Sequence, residues 1–172
     1  MIGITNLNKN NFKDWLIDHP EINPYKFSLG QLFRNTTKRF RKLPEFLVIG
    51  GAKCGTTSLF SYILQHPKVV APTLKEVHFF EYISKTNESW YRMHFPIKKN
   101  GIVTGEATPG YLVHPFVPER VHKIIPNVKL IIILRNPVDR AYSAFNYMMN
   151  LGTQIRTDFE NVINEEISRM KL

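Results

Sequence analysis

One strand–glycine–helix junction constrains this chain more than any other stretch. Glu45-Phe-Leu-Val-Ile49 is a short apolar run set off by Pro44 and closed by Gly50-Gly51. A continuous apolar run of this length reads as a parallel strand buried on both faces. From Thr57 onward Leu59, Phe60, Ile63 and Leu64 recur at helical spacing, and Pro67 stops the pattern. Between them lies Gly50-Gly-Ala-Lys-Cys-Gly-Thr-Thr-Ser58. Glycines permit a tight turn with inward-pointing amides. The helix start adds unpaired N–H groups and the positive end of a dipole. Together they form an anion cradle suited to phosphate, with Thr56, Thr57 and Ser58 adding hydroxyls. The bland alternative is a glycine-rich turn with Lys53 facing solvent.

The rest of the chain repeats the alternation. Asn11 to Asp18 reads as a short helix stopped before Pro20, Val69 to Ala71 as a strand, and Asn87 to Phe95 as a helix. Ile102 to Gly105 reads as a third strand with Glu106 just past its end, and Pro118 to Ile125 as a helix with Pro in its first turn. Val128 to Leu134 is the clearest buried strand, and Pro137 to Asn150 follows as a helix. Thr157-Asp-Phe-Glu160 is a capping-box pattern opening a last helix. Strands alternating with helices predict an α/β fold: a mainly parallel sheet flanked by helices, of P-loop-like nucleotide-binding architecture. Such sheets bind ligands at the carboxyl ends of their strands. Residues 1–44 read as a polar, basic extension and 45–172 as the α/β domain.

Composition narrows the function classes. A length of 172 residues suits one domain with a real core. The single cysteine, Cys54, excludes an internal disulfide framework and a multi-Cys metal site. The histidines show no HExxH or comparable spacing, so no metal is expected. The longest strongly apolar run, Leu130 to Leu134, is too short to span a bilayer, and the N-terminus carries no apolar signal region. A net charge of +9 favours an anionic ligand. Arg34, Lys38, Arg39, Arg41 and Lys42 form the densest cluster, either a patch for an anionic polymer or a solvated face. Only Phe40 is interleaved, so no nucleic-acid partner is expected.

The cradle departs from the ATP-binding P-loop, G-x-x-x-x-G-K-[ST]. Gly55 holds the sixth position as required, but the seventh is Thr56, and the lysine stands at the fourth, Lys53. A lysine rising from the loop can meet a bridging or leaving oxygen. A second junction follows the strand ending near Leu134. Arg135 offers a planar donor fork suited to phosphate, Asn136-Pro137 starts a helix, and Ser143 lies about two turns on. The alternatives are a salt bridge from Arg135 to Asp139, four residues on, and a small packing role for Ser143; ligand contact is the favoured reading for both.

These residues carry a resemblance. Lys53-x-Gly-Thr-Thr-x-Leu59 resembles the 5′-phosphosulfate loop of sulfotransferases that use PAPS (3′-phosphoadenosine 5′-phosphosulfate). Leu134-Arg-Asn-Pro-Val-Asp-Arg-Ala-Tyr-Ser143 resembles the 3′-phosphate motif of the same family. His66-Pro-x-Val69 and Lys75-Glu-Val-His-Phe-Phe80 are similar to the carbohydrate branch, as in heparan sulfate sulfotransferase domains. The resemblance covers about residues 45–150. It implies that Lys53, Cys54 through its amide, Gly55, Thr56, Thr57 and Ser58 hold the 5′ end of PAPS, and that Arg135 and Ser143 hold the 3′-phosphate. It implies Glu76 as general base toward a hydroxyl or amine acceptor, a carbohydrate by preference. Lys53 would stabilise the leaving adenosine 3′,5′-bisphosphate.

Several points stay open. Aromatic neighbours of Glu76 would desolvate it and suit it to proton abstraction. His78 is the rival base, on the same side as Glu76 only if the segment is extended. Gly105-Glu-Ala-Thr-Pro-Gly-Tyr111 resembles a family block in which several heparan sulfate enzymes carry a lysine where this chain has Ala107. Glu106 either orients Lys53 or the acceptor, or is a structural carboxylate; Tyr111 is a candidate for the acceptor cleft. Relatives continue past residue 150 with a closing segment, and no glycine-rich basic loop is read in residues 152–172, so the sequence reads as a fragment, a short viral or bacterial form, or an inactive remnant. A cytoplasmic bacterial or viral protein, or a soluble fragment of a Golgi-type enzyme, fits these features. The rival functions are a P-loop kinase or other nucleotide phosphotransferase, which needs the lysine at the seventh loop position and Mg²⁺, and a non-catalytic anion-binding module.

Overall fold

A computed structural model describes residues 29–82, 87–153 and 158–170. In chain order the elements are α1 (Leu29–Thr37), a 3-10 turn (Lys38–Phe40), β1 (Phe46–Gly50), α2 (Thr56–Ile63), β2 (Val69–Val70), α3 (Glu88–Arg92) and β3 (Val103–Ala107). A second 3-10 turn (Pro109–Leu112), α4 (Val117–Ile124), β4 (Lys129–Ile132), α5 (Pro137–Asn150) and α6 (Phe159–Met170) complete them. The segment 11–18 and the cap residue Thr157 lie outside the described residues. At α6 it is Asp158 that caps, its Oδ1 accepting from Glu160 N at 2.9 Å.

The four strands form one sheet in the order β2-β3-β1-β4, and every pair is parallel. The expected α/β architecture is therefore present. The central strand β1 alternates between two cores. Leu47, fully buried, packs with Val77, Phe79, Phe80, Tyr91 and Tyr111 on one face. Phe46 and Val48 pack with Phe60 of α2 and Ala107 of β3 on the other. Burial of this set supplies the main stabilisation, at about 1.5–3 kcal/mol per large apolar side chain.

Two strand expectations need correction. The strand expected over 128–134 is shorter and stands at the sheet edge, with Leu130 55%, Ile132 51% and Leu134 75% exposed. Ile131 alone turns toward the Val48 core. An apolar run marks membership of a parallel sheet, but it does not tell which faces the described residues cover. The third strand runs on through Glu106, which is fully buried opposite Leu47 and not beyond the strand end. Its carboxylate is carried there by hydroxyls: Thr108 Oγ1 donates to Oε2 at 2.8 Å, Tyr111 Oη donates to Oε1 at 3.1 Å, and Tyr91 Oη donates to Oε1 as well.

The basic cluster is partly structural. Arg41 is 4% exposed and donates from Nη1 to Phe95 O at 2.7 Å, while Arg34 donates to Met93 O at 3.3 Å. These contacts bind α1 and its 3-10 turn to the segment after α3.

Candidate functional site

The carboxyl ends of β1, β3 and β4 open into one cleft of ≈ 600 Å³. It is lined by the glycine loop (Ala52, Lys53, Gly55, Thr56, Thr57), the 76–82 segment (Glu76, His78, Glu81, Tyr82), Pro109 and Gly110, and the α5 side (Arg135, Ser143, Tyr147). Lys53 and Arg135, expected at the two ends of a doubly phosphorylated nucleotide, thus share a cleft. Its size suits a nucleotide-sized ligand.

The loop is built by backbone hydrogen bonds. Gly51 N donates to Ile133 O at 2.7 Å and Ile133 N donates to Gly50 O at 2.9 Å, which stitch it to the end of β4. Cys54 N donates to Gly51 O at 3.2 Å, so this amide is engaged inside the turn. The Cys54 side chain is buried, with Sγ 3.7 Å from Ala52 O. Gly55 caps α2 with φ 90, a left-handed conformation that glycine adopts without a Cβ penalty. No side chain caps α2. Its first-turn amides therefore have no intrahelical acceptor and stand open to an anion. Thr56 is buried and Thr57 exposed; Ser58 is exposed and outside the cleft lining. Lys75 Nζ donates to Thr57 Oγ1 at 3.0 Å and brings a second ammonium to the loop.

The 76–82 segment presents its polar side chains to the cleft because its apolar ones are anchored. Val77, Phe79 and Phe80 are buried, and Phe79 stacks on Tyr91 at 4.3 Å between ring centroids. Arg120 of α4 holds the backbone by donating from Nη1 to Phe80 O at 2.6 Å. Glu76 and His78 then fall on the same side, with Glu76 Oε2 3.4 Å from His78 Nε2. Lys75 Nζ lies 3.6 Å from Glu76 Oε1. The Glu76 side chain is 32% exposed, and the aromatic rings expected to pack around it, Phe79 and Phe80, point into the core instead. Glu81, which sequence reasoning passed over, takes the other side of the imidazole, with Oε2 2.7 Å from His78 Nδ1. Its other oxygen is buried against Gly110, where a Cβ would leave it no room.

This triad sets the charge of the imidazole. Burial draws the His78 pKa down, but the Glu81 hydrogen bond and the charges of Glu81, Glu76 and Glu106 outweigh it and leave it raised. Glu106 itself lies below the cleft floor, and burial raises its pKa against three hydroxyl hydrogen bonds. Of its two readings, the structural one holds. Tyr111 is 2% exposed and bonded to Glu106; it does not line the cleft. Ala107 packs with Phe46, Val48 and Phe60, so no cation arises at that position.

Among the described residues, the only non-glycine residues with positive φ are Lys53 (φ 63) and His78 (φ 55). Each such conformation costs on the order of 1 kcal/mol, and such outliers gather at functional sites. Here both flank one cleft. On the α5 side Asn136 Oδ1 accepts from Val138 N at 2.9 Å and Pro137 occupies the first turn. This fixes the start of α5 beside Arg135. Tyr147, one helical turn past Ser143, places its ring 3.7 Å from Lys53 Nζ. The i, i+4 spacing from Ser143 was the sequence signal for it. Among the described residues no group of three or more His, Cys, Asp or Glu is arranged to hold a metal ion, and no helix is long and apolar enough to cross a membrane.

Fold and cleft define a class: a parallel α/β domain with an uncapped glycine loop and an opposed Arg–Asn–Pro helix start, both suited to anions. A family model described as the sulfotransferase domain matches residues 43–170. The chain belongs to that family. It is 35% identical over 132 residues to the membrane-associated sulfotransferase kil1 of Dictyostelium discoideum, covering 72% of this chain and 28% of that protein. It is 39% identical over 105 residues to human heparan sulfate glucosamine 3-O-sulfotransferase 6, covering 61% of this chain and 30% of that protein. The solved structure of a sulfotransferase from Alicyclobacillus acidocaldarius superposes with a TM-score of 0.65 at 30% identity, covering 76% of this chain and 59% of that one. The chain thus spans less than a third of the length of these two curated relatives.

Proposed function

We propose that this domain transfers a sulfuryl group from PAPS to a hydroxyl or amine of a carbohydrate acceptor. The single observation that carries the reading is the shared cleft of Lys53, Glu76, Arg135 and Ser143. The open first-turn amides of α2, with Thr56 and Thr57, receive the 5′-phosphosulfate. Arg135 and Ser143 receive the 3′-phosphate, the group that separates this donor from ATP. The family match and the heparan sulfate relatives support sulfuryl transfer and a carbohydrate acceptor.

The chemistry needs one proton acceptor and one cation. The acceptor oxygen or nitrogen forms a bond to sulfur as the sulfur–oxygen bond to the 5′-phosphate breaks. Glu76 takes the proton from the attacking group. The electron pair of the broken bond stays on the phosphate oxygen of adenosine 3′,5′-bisphosphate, where Lys53 stabilises it electrostatically. The carboxylates on both sides of His78 favour imidazolium, which cannot accept a proton, so Glu76 is the base and His78 its neighbouring cation. A P-loop kinase is disfavoured because Thr56, not lysine, stands at the seventh loop position.

Calorimetry tests this directly. Adenosine 3′,5′-bisphosphate is expected to bind without Mg²⁺ and in preference to ATP. Mg²⁺-dependent ATP binding, with no affinity for the bisphosphate, would give the site to the phosphotransferase. Bisphosphate binding with no sulfation of any glycan acceptor would leave a non-catalytic anion-binding module.

A further inference from the structure

Lys53 rises from the loop with four rotatable bonds, and holding it over one phosphate oxygen has an entropic cost. The described residues offer its ammonium no ion pair; its close partner is the face of Tyr147, with Nζ 3.7 Å from the ring centroid. Tyr147 is 50% exposed and belongs to neither hydrophobic core, so burial does not account for the aromatic ring. It stands one turn past Ser143 on the same helix, and both line the cleft.

We propose that Tyr147 is a positioning residue for Lys53, its ring holding the ammonium in place over the phosphate cradle. The inference rests on the sulfuryl-transfer reading for what Lys53 does, but the contact itself is independent of it. The physical choice of group is informative. A carboxylate would hold Lys53 more firmly, yet it would cancel the positive charge of the cradle and repel an anionic ligand. The negative face of an aromatic quadrupole attracts the cation without adding net charge. The ammonium keeps N–H donors pointing away from the ring, so it can hold the ring and a phosphate oxygen together. The helix that carries Ser143 therefore also reaches across to the loop.

The test uses the whole chain with ¹³C-labelled lysine and adenosine 3′,5′-bisphosphate as probe. The Lys53 ε-methylene signal, assigned through Lys53→Arg, is expected to be displaced upfield by the ring. The displacement should survive in Tyr147→Phe and on saturation with the probe, and vanish in Tyr147→Leu. Tyr147→Leu should weaken probe binding by about three- to fivefold, Tyr147→Phe should restore it, and Tyr147→Leu should have no effect in a Lys53→Met background. An undisplaced Lys53 signal in the unaltered protein overturns the proposal. So does loss of the displacement on probe binding, or an equal Tyr147→Leu effect with and without Lys53. Failure of the unaltered protein to bind the probe, with the displacement intact, would instead count against the sulfuryl-transfer reading alone.

Discussion

His78 meets Glu81 through Nδ1 at 2.7 Å, while its Nε2 lies 3.4 Å from Glu76. The imidazole is thereby held from behind by a carboxylate that is nearly buried, with only 6% of its side chain exposed. The hydrogen bond to Glu81 sets the orientation of the ring, and its proton is favoured from both sides. Glu76, with 32% of its side chain exposed, is the more open of the two carboxylates and lines the cleft.

Glu76→Gln should then lower kcat by about 10²- to 10⁴-fold, the usual worth of a positioned general base. Its affinity for adenosine 3′,5′-bisphosphate should stay within twofold. Steady-state sulfation assays beside calorimetry separate the two. Full activity in Glu76→Gln would remove the assignment of the base.

Arg135→Ala should weaken the bisphosphate by about 10- to 100-fold, as expected for loss of a charge-assisted hydrogen bond. Adenosine 5′-phosphate, which lacks the 3′ group, should bind both proteins equally. Equal losses for the two nucleotides would mean that Arg135 acts on something other than the 3′-phosphate.

The two histidines should tilt stability in opposite directions with pH. His78 has a pKa raised above 6.5, so the folded state holds its proton more tightly than the unfolded chain. Its contribution is complete below pH 6.5 and lost as pH climbs through the raised value. His94 is the reverse: burial, then the charge of Arg34, lower it to about 4. The unfolded chain takes that proton first, so stability falls from pH 6.5 toward pH 4, by about 3 kcal/mol. Urea titrations from pH 4 to 9 on the parent, His78→Gln and His94→Gln will show this. The first variant should flatten the alkaline limb and the second the acid limb.

Glu106→Ala should destabilise by about 3 kcal/mol or more, because Tyr91, Thr108 and Tyr111 would each keep a buried hydroxyl without its acceptor. Glu106→Gln keeps an acceptor and should cost about 1 kcal/mol. Thermal melts rank the variants. If alanine and glutamine are equally mild, the hydroxyls must find other partners.

Much of this site was legible from local pattern. The glycine loop and the Arg135 junction are contiguous words readable from strand, turn and helix signals, and the Lys75–Phe80 block was readable only through its resemblance to the family. What was not legible depends on tertiary packing. Glu106 is tolerated inside β3 only because the fold turns the hydroxyls of Tyr91, Thr108 and Tyr111 onto its carboxylate, a convergence that the strand pattern does not report. Nothing local shows that the rings beside Glu76 turn away from it. The Val128–Leu134 run was read as enclosed because apolarity does not report strand order. Tyr147 sat at a readable spacing, but its partner Lys53 is far away in sequence.

The capped start of α5 has one more consequence. Asn136 and Pro137 pin the first turn, so the positions of Ser143 and Tyr147 are counted out from a fixed origin. The helix serves as a ruler between the loop lysine and the arginine junction. One residue inserted or deleted along it would swing everything downstream by about 100° around the axis. What the helix must keep is its count of residues from Asn136 to Tyr147.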